Sequence, residues 1–190
     1  NGIMKALPVM EYFYSVQGEG KFAGTPAFFI RFGGCDVGCV WCDVKDSWNA
    51  DKYPKMTIEE LLSEAQKHPT KTIILTGGEP AMYDLTELTA IFKKAGYQLH
   101  IETSGAYPLQ GRFDWVTFSP KKFKAPIKQA IELANELKVV VFNKSDFKWG
   151  ESFRKEVPKD CLLYLQPEWD KREQMEPLIF TYILNNPLWK

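Results

Sequence analysis

The stretch "PAFFIRFGGCDVGCVWC", Pro26 to Cys42, joins two unlike kinds of sequence. An apolar run interrupted by Arg31 stops at Gly33-Gly34. Three cysteines then follow with C-x3-C-x2-C spacing: Cys35, Cys39 and Cys42. A short apolar run bounded by glycines predicts a buried strand. The same arrangement returns in "KTIILTGGEP", "YQLHIETSG", "DWVTFSPKK", "KVVVFN" and "CLLYLQPEW". Amphipathic segments between them predict helices. "MTIEELLSEAQKH" has Thr57 as N-cap and Glu60 completing a capping box, and "DLTELTAIFKKAG" is capped by Asp84 and stopped by Gly96. "APIKQAIELANEL" and a last helix near Lys171 to Leu184 complete the set.

Continuous apolar strands alternating with helices imply an α/β fold with a mainly parallel sheet. The 190 residues are too few for a closed eight-unit barrel, which takes about 250. A partial, open (β/α)6-type barrel is expected, as a single domain over residues 1–190. In such sheets ligands gather beyond the C-terminal ends of the strands. The unusual motifs fall there: Gly33-Gly34-Cys35, Gly77-Gly78-Glu79-Pro80, Glu102-Thr103-Ser104-Gly105, Ser119-Pro120-Lys121 and Gln166-Pro167.

Twenty-four basic residues against 24 acidic ones give zero formal charge, without the electrostatic footprint of a nucleic-acid binder. No apolar run reaches the roughly 18 residues that span a bilayer. The opening "NGIMKALPVM" is too short and polar for a signal peptide. A soluble, cytoplasmic protein is expected. In that compartment clustered cysteines are more often metal ligands or catalytic thiols than disulfides.

The cysteine spacing alone leaves three readings open. A structural zinc site needs a fourth ligand, from Cys161, His68, His100 or a carboxylate. Redox thiols need none. A 4Fe–4S cluster held by three thiolates leaves one iron open for an exogenous ligand. Cys161 opens a predicted buried strand and reads as core, and His68 ends a surface helix. His100 alternates with Ile101 along a strand and reads as a satisfied core histidine rather than a ligand.

The motifs in order are C-x3-C-x2-C after an early strand, Trp41 before its last cysteine, and GGEP after a later strand. This order resembles the radical S-adenosylmethionine superfamily. The resemblance implies a 4Fe–4S cluster on Cys35, Cys39 and Cys42, whose open iron chelates S-adenosylmethionine. "QGEG", Arg31, "WCD", "TGGEP", "IETSG", "SPK" and "YLQP" cover most of the chain and resemble the 7-carboxy-7-deazaguanine synthase family. Members turn 6-carboxy-5,6,7,8-tetrahydropterin into 7-carboxy-7-deazaguanine, losing ammonia, on the route to queuosine. A radical derived from S-adenosylmethionine takes hydrogen from the pterin C6 and later returns it.

By this resemblance Val16, Gln17, Gly18, Glu19, Arg31 and Thr76 bind substrate. A side-chain amide can read the pterin's donor–acceptor edge, Glu19 can accept from its guanidine-like N–H groups, and the Arg31 fork suits its carboxylate. Trp41, Cys42, Asp43, Gly78, Glu79, Glu102, Ser104, Ser119, Pro120, Lys121, Gln166 and Pro167 correspond to cofactor-binding positions. Glu79 is expected to accept from the methionine ammonium. An external electron donor and a homodimer are also implied.

Two departures stand out. The family places Thr or Ser after the Cys-Asp pair as a Mg2+ ligand. Here that position is Val44, which offers no oxygen, so Asp46, Ser47, backbone or water would have to substitute. Members also continue past a segment like "NNPLWK" into a last strand and a pocket-closing tail, which this sequence is expected to lack. Two alternatives remain: an activase for glycyl-radical enzymes, which share the three-cysteine motif but are disfavoured by "QGEG", Arg31 and "TGGEP", and a non-enzymatic zinc or electron-transfer module.

Overall fold

In the computed structural model, which describes residues 5–34 and 52–190, the apolar runs form one eight-stranded sheet. Its strands are β1 (Ala6–Val16), β2 (Pro26–Phe32), β3 (Lys55–Thr57), β4 (Thr72–Gly77), β5 (Gln98–Thr103), β6 (Trp115–Phe118), β7 (Glu136–Val141) and β8 (Leu162–Pro167). They lie in the order β3-β1-β2-β4-β5-β6-β7-β8, an open sheet. β2 and β4 to β8 run parallel, the six-strand arrangement expected of an open barrel. β1 and β3 extend the β2 edge in antiparallel fashion, and the sequence reading did not include them.

Helices α1 (Ile58–Ala65), α2 (Thr86–Lys94), α3 (Lys128–Glu132), α4 (Ser145–Arg154) and α5 (Arg172–Asn185) complete the fold. Thr57 caps α1 by accepting the Glu60 amide at 3.1 Å. Asp84 takes the Thr86 amide at 3.0 Å, although Leu85 holds the N-cap position of α2.

Side chains alternate across each strand. One set faces the helices: Ile30, Phe32, Ile73, Leu75, Leu99 and Ile101 pack with Leu61, Leu88 and Phe92. Farther along the sheet, Phe118, Leu137, Val139, Val141 and Leu163 pack with Met175, Ile179 and Trp189. Cys161 belongs to this second cluster, as expected of a core residue. Full burial of such a side chain contributes about 1.5–3 kcal/mol. The other set faces the inside of the curl. It is apolar around Phe13, Ala27, Phe29 and Ile74, and turns polar towards the C-terminal ends of the strands.

One boundary differs from the sequence reading in a way that matters for the site. "APIKQAIELANEL" reads as one helix, but α3 stops at Glu132, and Glu136 and Leu137 already belong to β7. Asn135 makes the switch by pairing with β6: its Oδ1 accepts the Val116 amide at 2.8 Å, and its own amide donates to the Val116 carbonyl at 2.9 Å. Tertiary pairing overrides a helical period here. α4 was also not expected. Its first turn is anchored by the buried Asp146, which accepts the amides of Phe142 and Asn143 and pairs with Lys122.

Candidate active site

Phe22, from the β1–β2 connection, packs tilted against His100 and edge-on against Trp115, with ring centroids 4.6 and 5.1 Å away. These rings line the inner face one layer nearer the strands' N-terminal ends than Glu102 and Thr117, which are cross-strand partners. Burial lowers the His100 pKa, and the opposing pull of Asp114 and Glu102 is smaller, so the imidazole is neutral at pH 7. His100 is core as expected. It is not fully satisfied, however, because its Nε2 has no hydrogen-bond partner among the described residues.

Towards the C-terminal ends, strands β5 to β8 and the Gly18–Gly20 turn enclose a cavity of about 210 Å3. Glu102, Thr117, Glu136, Lys138, Tyr164 and Gln166 project into it from these strands. Glu102 is tied to two other elements: Oε1 accepts from Gln17 Nε2 at 3.2 Å and Oε2 from the Thr76 hydroxyl at 3.1 Å. The Gln17 carbonyl oxygen in turn accepts the Glu19 amide at 3.2 Å. A side chain built at Gly18 would meet nothing within 4 Å, so the turn leaves open space beside these acceptors.

The second turn, Gly77 to Pro80, is built differently. Gly77 has φ +141°, and a Cβ there would lie 2.4 Å from the Phe32 carbonyl oxygen, so no other residue fits. The close approach lets Gly78 donate to Phe32 at 3.1 Å and Glu79 to the Gly34 carbonyl at 2.9 Å. The chain therefore enters the cysteine segment from a strand end fixed to the glycine turn. Cys35, Cys39, Trp41, Cys42, Asp43 and Val44 themselves lie outside the described residues.

Several expected site residues are brought together: Gly18, Glu19, Glu102, Gln166 and Pro167 line the cavity, and Gln17 and Thr76 bond to Glu102. Glu102, expected at the cofactor, bonds to Gln17 and Thr76, both expected at the substrate. Glu79 and Ser104, also expected at the cofactor, meet each other. The Glu79 carboxylate accepts from the Ser104 amide (2.7 Å) and hydroxyl (2.6 Å), the Thr103 hydroxyl (2.8 Å) and the Ala81 amide (3.0 Å). Four donors engage a carboxylate's roughly four acceptor sites from within the chain.

The remaining expected residues stand around this centre. Arg31 lies beside Thr76 in the sheet and pairs through Nε with Glu11 at 2.8 Å, which uses one of its five donors. Val16 is exposed. Ser119 and Pro120 are buried at the end of β6, where the Ser119 hydroxyl accepts from Lys121 at 3.1 Å. Sequence reasoning missed Thr117, Glu136, Lys138 and Tyr164. The signal for two of them was present: Glu136 and Lys138 alternate with Leu137 and Val139, the pattern of a strand with one polar face.

An open parallel sheet, with a glycine turn fixed to the strand that leads into C-x3-C-x2-C, is the scaffold of a radical S-adenosylmethionine protein. The Radical SAM superfamily model matches residues 29–125. A 7-carboxy-7-deazaguanine synthase of Flavobacterium psychrophilum is 52% identical over 184 residues, covering 97% of this chain and 87% of that protein. One from Synechocystis is 48% identical over 183 residues, covering 96% and 88%. The crystal structure of QueE from Escherichia coli superimposes with a TM-score of 0.86 at 33% identity, covering 97% of this chain and 92% of that one. The chain belongs to the 7-carboxy-7-deazaguanine synthase family of the radical SAM superfamily.

Proposed function

We propose that this chain converts 6-carboxy-5,6,7,8-tetrahydropterin into 7-carboxy-7-deazaguanine with loss of ammonia, as a radical S-adenosylmethionine lyase of queuosine biosynthesis. The observation that carries the reading is the Gln17–Glu102–Thr76 constellation, in which Gln17 and Thr76 hold the Glu102 carboxylate at a cavity by the C-terminal ends of the strands.

Three thiols within eight residues suit a 4Fe–4S cluster with an open iron, and Gly18 opens onto space at the site. When bound, the cluster and S-adenosylmethionine supply the radical that opens the reaction. Cys35, Cys39 and Cys42 would hold the cluster. Trp41, Asp43, Gly78, Ser119, Pro120, Lys121, Gln166 and Pro167 would border S-adenosylmethionine. With the Glu79 carboxylate already engaged by four donors, the peptide groups of the Gly77–Pro80 turn are left to meet the methionine ammonium. Glu79 and Ser104 shape that turn.

Glu102 accepts from the N–H edge of the pterin ring, assisted by Gln17 and by Val16 and Gly18 backbone groups. Thr76 fixes the Glu102 rotamer. Arg31 offers its remaining donors to the substrate carboxylate, and such charge-assisted bonds are the strongest available. The Phe22–His100–Trp115 layer closes the cavity beneath and keeps water from a reactive intermediate. Cys161 lies among the helix-facing side chains, away from the radical.

An external electron donor, a homodimer and a cytoplasmic setting belong to the same proposal. No helix among the described residues is long and apolar enough to cross a membrane. Val44 predicts weak Mg2+ stimulation that Val44→Thr strengthens.

Anaerobic turnover with reductant, S-adenosylmethionine and the tetrahydropterin tests the reading. Mass spectrometry should find 7-carboxy-7-deazaguanine, and replacing Cys35, Cys39 or Cys42 by Ala should abolish it. A cluster-loaded protein that makes no deazaguanine would overturn the assignment.

A further inference from the structure

The cavity holds three carboxylates, Glu19, Glu102 and Glu136, and one ammonium, Lys138, among the described residues that line it. Glu136 and Lys138 are two apart on β7, so both point inward. Between them they clamp the Gly18–Lys21 turn. The Lys21 amide donates to Glu136 Oε2 at 3.0 Å, and Lys138 Nζ donates to Glu19 Oε2 at 2.8 Å. The Thr117 hydroxyl fixes the other Glu136 oxygen at 2.8 Å. Gly20, at φ +70°, lets the backbone come so close that a Cβ would stand 2.4 Å from Glu136 Oε1.

Lys138 is only 18% exposed, whereas Glu19 is 44% exposed. Burial pulls the Lys138 pKa down, but Glu102, Glu19 and Glu136 outweigh it and hold the ammonium above its ordinary value. A charge this committed is a poor proton donor near neutral pH. It serves well as a fixed point, because an ion pair held at one end by a mostly enclosed partner loses less order than one between two free side chains.

On the reading of this cavity as the pterin site, the geometry points to Lys138 as a positioning residue for substrate recognition. Its ammonium holds the Glu19 carboxylate over the cavity, where Glu19 and Glu102 together present acceptors to a guanidine-like N–H edge. Glu136 anchors the backbone of the same turn. A residue that merely balanced charge would need only to offset Glu19. A positioning residue needs the Glu19 oxygens kept as acceptors, and that difference can be measured.

The test is anaerobic titration of the cluster-loaded, S-adenosylmethionine-bound protein with 6-carboxypterin, an unreactive fluorescent analogue, with melting temperatures on the same samples. Lys138→Met and Glu19→Gln should each weaken binding roughly tenfold or more, while Lys138→Arg keeps most of it. The double variant Glu19→Gln/Lys138→Met restores charge balance. It should recover the melting temperature and still bind as weakly as the single variants. Binding unchanged in Lys138→Met would overturn the inference, as would binding restored in the double variant. If Lys138→Met fails to fold, the double variant decides by the same criterion. Wild-type protein that does not bind the analogue would overturn the pterin reading and the inference together. Wild-type binding with indifferent variants would overturn the inference alone.

Discussion

Two turns of this chain use the same residue types to opposite ends. In Gly77-Gly78-Glu79-Pro80 the glutamate is 1% exposed and takes four donors from its own chain. In Gln17-Gly18-Glu19-Gly20 the glutamate is 44% exposed, and its carboxylate is held by one ammonium from across the cavity. The first turn is fixed from within and offers a ligand its backbone. The second is held at a distance and keeps acceptor capacity in hand. A glutamate in a glycine turn is therefore structural where the neighbouring strand supplies donors, and available where it does not.

The sharpest way to break this comparison is Glu79→Gln. The amide keeps the volume but turns an NH2 group towards donors, leaving buried groups unpaired. The expected loss is about 3 kcal/mol or more of stability, which lowers the melting temperature by roughly 6–12 °C in a chain of this size. A melting temperature unchanged from wild type would show that the carboxylate does not anchor its turn.

The opposite turn should respond in the opposite currency. Gly20→Ala forces a side chain against the Glu136 carboxylate at a left-handed backbone angle. It should weaken 6-carboxypterin binding roughly tenfold or more while costing only about 1–2 kcal/mol of stability. Loss of fold with binding retained in the surviving fraction would erase the distinction between the turns.

The smallest effect is expected on the other face of the sheet. Cys161→Ala should leave turnover unchanged, because Cys161 packs among helix-facing side chains. Burial, with smaller contributions from Glu136 and Asp160, pushes its thiol pKa up to about 12. Alkylating reagents at pH 8 should therefore spare it in the folded protein, since the reactive thiolate is scarce. Rapid labelling would place Cys161 outside the core and weaken the assignment of faces.

The sequence revealed the parallel strands because each is a short apolar run closed by turn residues. It pointed to the candidate site because the motifs cluster at one end of those strands. It did not reveal which way Glu79 turns, since the four donors that capture it come from Ala81, Thr103 and Ser104, and only folding brings Thr103 and Ser104 near. Glu102 was visible, but its bonds to Gln17 and Thr76 were not, because those partners lie on other elements. Glu136 was hidden by a helical period that continues past Glu132, until Asn135 pairs with β6 and starts a strand. Once Glu136 is read as a helical residue, Lys138 loses the alternation that would have marked both as facing inward.

The account's central claim is that the inner cavity, read by Glu102 and Gln17, holds the pterin. A crystal structure of the cluster-loaded protein with S-adenosylmethionine and 6-carboxypterin tests it most directly. The account predicts the N–H edge of the ring within hydrogen-bond distance of Glu102, with Gln17 and Glu19 beside it. A pterin bound outside this cavity, with Glu102 still bonded only to Gln17 and Thr76, would contradict it.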